Sequence, residues 1–105
     1  ILVKKFFQLV EDNYHKNLTV NEYADMLSIT PNHLTQTVTR LTGKTSIQIV
    51  KAKQILEIKR LLAHSGNNVS EIAAMLNFPD QSYFTRFFKR ETSVSPLQYR
   101  AMSMM

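Results

Sequence analysis

One pattern of residues occurs twice in this chain, and the repeat restricts the possible folds more than any other feature. The first copy opens with VNEYADML at 20–27 and the second with VSEIAAML at 69–76. After a short break, each continues with apolar residues at helical spacing that begin at Leu34 and at Phe84. A short helix, a tight turn and a second helix with outward polar residues form a helix-turn-helix. The separation of roughly fifty residues indicates a duplicated supersecondary unit rather than a solenoid.

Helix ends are marked by local capping sequences. Four pairs with a capping residue three positions before Glu or Gln indicate helix starts: Thr19 and Glu22, Thr45 and Gln48, Asn68 and Glu71, and Ser95 and Gln98. Pro31 and Pro96 suit first helical positions, and Gly43 and Gly66 suit left-handed C-terminal caps. We predict seven helices, at about 2–14, 20–27, 31–42, 46–63, 69–76, 81–92 and 96–102.

The predicted fold is all-α, with two helix-turn-helix lobes joined by a long central helix. The first lobe covers residues 1–45, the linker helix 46–65 and the second lobe 66–105. The fourth helix is apolar on more than one face, through residues such as Ile47 and Leu56, so we expect it to be covered on more than one side. As a rigid spacer, it is expected to hold the third and sixth helices, the second helix of each helix-turn-helix, about 34 Å apart.

Composition and charge favour a polyanionic partner and give no support to an enzyme. Thirteen Lys and Arg against eight Asp and Glu give a net charge of +5, and duplex DNA is the first partner to consider. The chain has no cysteine, its three histidines are not at ligand spacing, and no glycine-rich phosphate loop occurs, so we predict no metal site, cofactor or catalytic group. No apolar run reaches membrane length, and a cytoplasmic location is predicted.

Two helices carry the residue types that read base edges in the major groove. Leu34, Val38 and Leu41 are predicted to face inward on the third helix, and Phe84, Phe87 and Phe88 on the sixth. The predicted base-reading residues on the opposite faces are Asn32, Thr35, Gln36, Gln81, Ser82, Thr85 and Arg86. The predicted phosphate contacts are Arg40, Lys44, Lys89 and Arg90, with Lys51 and Lys53 as further possibilities.

Each of these faces also has a simpler interpretation. A solvated helix face is always polar, and a helical protein-interaction module without DNA binding would show the same pattern. Lys53 on the long helix is equally consistent with an ordinary solubilising charge. The aromatic cluster on the sixth helix has the spacing of a buried face rather than of a base-stacking platform.

The residues of the second half resemble the signature of the AraC/XylS family of bacterial transcription regulators. The matching segments are VSEIA at 69–73, LNF at 76–78, QSYF at 81–84, RFFKR at 86–90 and SPLQYR at 95–100. The first half is similar through Tyr23-Ala24-Asp25, Leu27, Ile29-Thr30-Pro31, Leu34 and Thr42-Gly43-Lys44. The resemblance extends from about residue 18 to residue 100.

This resemblance implies a DNA-binding domain of two helix-turn-helix units, sequence-specific promoter binding and contact with RNA polymerase. It also implies a sensor domain in the intact protein, outside these 105 residues. Some relatives are fused to a DNA-repair activity that uses cysteine nucleophiles, which this chain lacks. Asn77 and Ser93 stand where the family mostly has Gly, so the end of the sixth helix is expected to be built differently. Ile58 replaces a usual small Ala, which implies adjusted packing.

Overall fold

The computed structural model describes all residues 1–105, and its only regular structure is helical. Its seven α-helices are α1 (Leu2–Asn13), α2 (Val20–Met26), α3 (Pro31–Thr42), α4 (Ser46–His64), α5 (Val69–Met75), α6 (Gln81–Thr92) and α7 (Pro96–Ser103). The predicted all-α class with seven helices is confirmed, and every helix ends within one residue of its predicted boundary. A 3-10 helix over Tyr14–Lys16, which was not predicted, extends α1 as far as the left-handed residue Asn17.

The chain divides into two compact units, Ile1–Lys53 and Gln54–Met105. The helix α4 begins in the first unit and ends in the second, so each unit contains one helix-turn-helix and one end of α4. The three-part division predicted from the sequence, at 1–45, 46–65 and 66–105, treats most of α4 as a linker and stays a prediction.

In the first unit, α1, α2, α3 and the start of α4 enclose an apolar core. Its buried members are Phe6, Val10, Tyr23, Ala24, Leu34, Val38, Ile49 and Val50. The Phe6 and Tyr23 rings meet edge to face with their centroids 5.7 Å apart, a geometry that aromatic pairs favour. Because Leu34 and Val38 are the buried residues of α3, the core determines which face of this helix is left for solvent.

Tyr23 is the one member of this core with an unpaired polar atom. Its side chain is 0% exposed and its hydroxyl has no hydrogen-bond partner. Burial, and to a lesser extent the carboxylate of Glu22, raises the pKa of Tyr23 to about 12. The phenol therefore stays neutral in the folded protein well above the pH at which an exposed tyrosine ionises.

The second unit has a more aromatic core. Its buried apolar residues are Ile58, Leu61, Leu62, Val69, Ile72, Ala73, Leu76, Phe78, Phe84, Phe87 and Phe88. The ring of Phe78 lies 5.1 Å from that of Phe84 and 5.2 Å from that of Phe87. The predicted inward face of α6 is thus confirmed, and its phenylalanines are structural. Ile58 is fully buried in this core.

Arg100 fastens α7 to the end of α4. Its Nε donates to the carbonyl oxygen of Leu62 at 2.9 Å, and its Nη2 donates to that of Asn67 at 2.6 Å. The Leu62 carbonyl is in the last turn of α4, where no intrahelical N–H is available to it. One guanidinium therefore caps α4 and holds the loop that follows it, which a cation at a helix C-terminus also favours electrostatically.

The tight turns of the two helix-turn-helix units have the same construction. In the first turn Ser28 is left-handed (φ 57°), and the Ile29 N–H donates to the Ala24 carbonyl at 3.1 Å. In the second turn Asn77 is left-handed (φ 59°), and the Phe78 N–H donates to the matching alanine carbonyl at 3.0 Å. This is the bond of a Schellman motif, which satisfies a carbonyl at the end of the helix and reverses the chain.

The two outward helices also begin in the same way. The Thr30 hydroxyl accepts from the His33 N–H at 3.1 Å, and the Asp80 carboxylate accepts from the Tyr83 N–H at 2.7 Å.

The four predicted capping pairs are confirmed in both directions, at the starts of α2, α4, α5 and α7. The structural repeat therefore includes the start of the helix after each helix-turn-helix.

The ends of α3 and α6 correct the expectation drawn from Ser93. Gly43 has φ 78° and Ser93 has φ 70°, and their N–H groups donate to the carbonyls of Thr39 and Lys89 at 2.9 Å and 2.8 Å. The expectation that the end of α6 is built differently because it lacks glycine is wrong, since Ser93 takes the left-handed conformation that Gly43 takes at the end of α3. It does so against the steric preference of a residue with a Cβ.

A threonine before each of these left-handed residues helps to hold them. The Thr42 hydroxyl donates to the Val38 carbonyl at 2.7 Å and accepts from the Lys44 N–H at 3.1 Å. The Thr92 hydroxyl donates to the Phe88 carbonyl at 2.8 Å in the same way. The backbone on both sides of each helix end is thus fixed by side-chain bonds, which is how a strained residue can persist.

Three further expectations about helix surfaces are wrong. Gly66 does not have a positive φ. The helix α4 ends at His64, and the next residue, Ser65, supplies the C-terminal bonds instead, since its N–H and hydroxyl both donate to the Leu61 carbonyl. Leu41 is 60% exposed, since the last turn of α3 projects beyond the core and every residue from 39 to 44 is exposed. Leu56 is 59% exposed because α4 keeps one uncovered stripe, at every fourth residue from 48 to 64.

Candidate nucleic-acid interface

The exposed face of α3 carries most of the first unit's predicted site residues. Asn32 and Gln36 are exposed, as are the predicted phosphate contacts Arg40 and Lys44. These side chains lie away from the buried Leu34 and Val38, as the helical spacing predicted. Neither cation makes an ion pair, so both charges are available to an external anion.

Two further residues of this face were not predicted from the sequence. His33 and Thr37 line a shallow, open depression together with Gln36 and Arg40. The four residues follow one stripe along α3, because positions three, four and seven apart lie on the same side of a helix. The signal was present in the sequence as the spacing of His33 to Gln36 and Arg40.

Thr35 differs from the other predicted base readers of α3. It is half-buried, and its Oγ1 lies 3.2 Å from the Oγ of Ser46 at the start of α4. Ser46 is 0% exposed, and this is its only side-chain hydrogen bond. The Thr35 hydroxyl is therefore directed toward the interior of the first unit.

The four predicted base readers of α6 come together in the second unit. Gln81, Ser82, Thr85 and Arg86 line one open depression on the exposed side of the helix. Thr85 is half-buried and the other three are exposed. Amide, hydroxyl and guanidinium groups thus converge on the N-terminal half of α6, the part of a recognition helix that approaches base edges.

The guanidinium of Arg86 has no partner within the chain. Asp80, the nearest acid on its N-terminal side, uses its carboxylate to accept the N–H of Tyr83 at the start of α6. Lys89 is likewise exposed and unpaired. Arg90 has its Nε 3.5 Å from the Glu91 carboxylate and its guanidinium over the Phe87 ring at 5.9 Å. The charges of α6 with no partner at all are therefore those of Arg86 and Lys89, whereas the exposed Arg90 would exchange a long surface pair with Glu91 for a phosphate.

Lys53 has a structural position within the first unit. Its Nζ lies 3.0 Å from the carboxylate of Glu11 and 5.2 Å from the centroid of the Tyr14 ring. A lysine held by an acid and an aromatic face is a poor phosphate contact, because binding DNA would first break the pair. The charge of Lys53 is therefore used within the first unit, rather than as a phosphate contact or as an ordinary solubilising charge.

No group of three or more His, Cys, Asp or Glu side chains is placed to hold a metal ion. No helix is both long enough and apolar enough to cross a bilayer.

Two helix-turn-helix units of matching construction, each with an exposed polar second helix, define the class of protein as a double helix-turn-helix DNA-binding domain. A family model described as a helix-turn-helix domain matches residues 23–102. The chain belongs to the AraC/XylS family of transcription regulators, as its resemblance implied.

Individual relatives agree with this assignment. The uncharacterized HTH-type transcriptional regulator YpdC of Escherichia coli K12 is 32% identical over 92 residues, which cover 88% of this chain and 32% of YpdC. The C-terminal domain of AraT, a response regulator from Geobacillus stearothermophilus, superposes with a TM-score of 0.89 at 25% identity, covering 96% of this chain and 84% of that one. The DNA-binding domain of AdpA, solved in complex with a target DNA, has the same fold, with a TM-score of 0.81 at 24% identity over 95% of this chain and 90% of that one.

The chain spans 32% to 46% of the length of the curated relatives it matches. The similarity therefore concerns one domain of those proteins.

Proposed function

We propose that this domain binds double-stranded DNA sequence-specifically as the DNA-binding part of a bacterial transcription regulator, with α3 and α6 reading two successive major grooves. The observation that carries the proposal is the pair of exposed polar helix faces, each presented by a turn and cap of the same construction. One chain thus offers two reading helices, and no dimer axis is needed to supply the second.

The residue types divide into two roles. Amide and guanidinium groups at Asn32, Gln36, Gln81 and Arg86 can form paired hydrogen bonds with adenine or guanine edges. Cations at Arg40, Lys44, Lys89 and Arg90 are proposed to contact phosphates, which orient the domain without reading sequence. The family relationship and the fold shared with a domain solved on its target DNA support DNA binding itself.

The proposal extends to the intact protein. We infer that the domain acts in the cytoplasm, contacts RNA polymerase at promoters and is controlled by a separate sensor domain. The share of the curated relatives that the chain spans leaves room for such a domain. No catalytic step is assigned to this part of the protein.

A salt titration tests the binding itself. We expect fluorescence anisotropy to show binding to a random-sequence duplex with an affinity that falls steeply with salt, because phosphate neutralisation releases counterions. Lys89→Ala should weaken binding to all sequences about equally and lower the salt slope by roughly one. Lys5→Ala, which removes an exposed charge from α1, is the matched control and should leave the slope unchanged. Absence of binding at low salt, or equal effects of the two variants, contradicts the proposal.

A further inference from the structure

The hydrogen bond between Thr35 and Ser46 determines which part of Thr35 can face a ligand. The two hydroxyl oxygens are 3.2 Å apart, and either can be the donor. Ser46 is completely buried and has no other side-chain partner. Turning the Thr35 hydroxyl outward would leave a buried hydroxyl unpaired, which is costly in a folded protein. The bond therefore holds the Thr35 oxygen inward.

A threonine whose hydroxyl is held inward has only its Cβ and γ-methyl group left for the surface. Thr35 is half-buried rather than buried, so part of the side chain does reach solvent. It lies in the N-terminal half of α3, between the exposed Asn32 and Gln36. An apolar contact is the only one this methyl group can make, and the C5-methyl of thymine is the apolar feature of the major groove.

The second unit shows that this arrangement belongs to one helix only. Thr85 is the corresponding residue of α6, but Pro96 stands where the first unit has Ser46. Proline has no side-chain donor or acceptor, and the Thr85 hydroxyl makes no hydrogen bond in the structure. Thr85 is therefore free to turn its hydroxyl toward a base or a phosphate.

We infer that Thr35 recognises thymine specifically, by contact between its own γ-methyl group and the C5-methyl group of the base. The hydrogen bond to Ser46 keeps the Thr35 hydroxyl away from the DNA. The inference rests on the proposed function, because it assigns a base to one residue of the same face. It also predicts that the two equivalent threonines act by different chemistry, one by apolar contact and the other by hydrogen bonding.

The test uses the duplex most enriched by the wild-type chain from a random pool. Each thymine of that duplex is replaced in turn by deoxyuridine, which keeps every hydrogen bond and removes only the methyl group. We expect one replacement in the block read by α3 to weaken wild-type binding by about fourfold, as for loss of one buried methyl contact.

Four variants separate the methyl group from the hydroxyl. Thr35→Ser keeps the bond to Ser46 and loses the methyl, so it should bind the thymine and deoxyuridine duplexes equally. Thr35→Val combined with Ser46→Ala removes both hydroxyls and keeps a methyl, so it should retain the preference for thymine. At the control position, Thr85→Val should weaken binding to both duplexes alike, and Thr85→Ser should leave the preference unchanged.

The outcomes distinguish this inference from the proposed function. Failure to enrich any duplex overturns the proposed function, and this inference with it. Specific binding with no deoxyuridine penalty in the α3 block overturns the inference alone. The inference is also overturned if Thr35→Ser keeps the full penalty, or if the double variant loses it.

Discussion

Arg86 is the residue on which discrimination between DNA sequences should depend most. It is the only long cation in the N-terminal half of either outward helix, and no acid of the chain pairs with it. We expect a two-donor contact with a guanine, so Arg86→Ala should cost about 1–3 kcal/mol on the preferred site and relax preference at one base pair. Arg90→Ala removes a guanidinium that lies over the Phe87 ring, and this change should weaken binding to all duplexes alike. If Arg86→Ala loses the same factor on every duplex, Arg86 does not read a base.

The buried phenol of Tyr23 makes stability depend on pH in the alkaline range. Its pKa is raised from 10.0 to about 12 on folding, so the unfolded chain releases this proton first. Stability should then fall by ~1.4 kcal/mol per pH unit between these two pKa values, and be unaffected by this group below them. Urea unfolding of Tyr23→Phe should lack this component and show equal or higher stability at neutral pH, because an unpaired hydroxyl is removed. Parallel pH profiles of the two proteins would contradict this account.

Ser93 is a position where a single substitution should stabilise the fold. Its φ of 70° matches the 78° of Gly43 at the equivalent helix end, and a side chain is disfavoured there. Ser93→Gly should gain about 0.5–1 kcal/mol, as relief of strain exceeds the added freedom of the unfolded chain. Gly43→Ser, the converse change, should lose a similar amount in the same denaturation experiment. A loss of stability in Ser93→Gly would show that the serine side chain has a role of its own.

The sequence predicted residue types at the interface better than it predicted side-chain orientation. On α6 the exposed face was predictable, because Phe84, Phe87 and Phe88 define the buried face without ambiguity. On α3 the inward hydroxyl of Thr35 could not be predicted, since it depends on a partner at the start of the next helix. The assignment of bases and phosphates to individual residues stays a prediction.

Among the helices and their connections, α7 is joined to the end of α4 by the hydrogen bonds of one charged side chain. Arg100 donates to two carbonyls at the end of α4 and in the loop after it, and lysine cannot reproduce that fork. Arg100→Lys should therefore reduce the free energy of unfolding by about 1.5–3 kcal/mol while keeping the charge. Arg40→Lys, at an exposed guanidinium with no ion pair in the chain, is the control and should change it by less than about 0.5 kcal/mol. Equal effects of the two variants would show that α7 is held by its apolar contacts instead.

Helix boundaries were predictable because they are fixed locally. Each predicted capping pair lies within four residues of sequence, and its bonds form wherever a helix starts there. The exposure of Leu41 and Leu56 was not predictable in this way. It depends on how far the neighbouring helices extend, which helical periodicity does not encode.

Considered as a whole, the molecule contains two similar units with unequal surfaces. The proposed DNA contacts of the first unit include two cations, Arg40 and Lys44, whereas those of the second unit include three, Arg86, Lys89 and Arg90. We therefore expect the second unit to contribute more of the salt-dependent affinity, and the first to contribute proportionally more apolar and amide contacts.

Selection of bound sequences from a random duplex pool, combined with sedimentation of the resulting complex, tests the central proposal that one chain reads two grooves. We predict two short blocks of preferred sequence separated by about one turn of DNA, or roughly 10–10.5 base pairs. A single chain should be bound to each site. One uninterrupted block, or a complex that contains two chains at every site, would contradict the proposal.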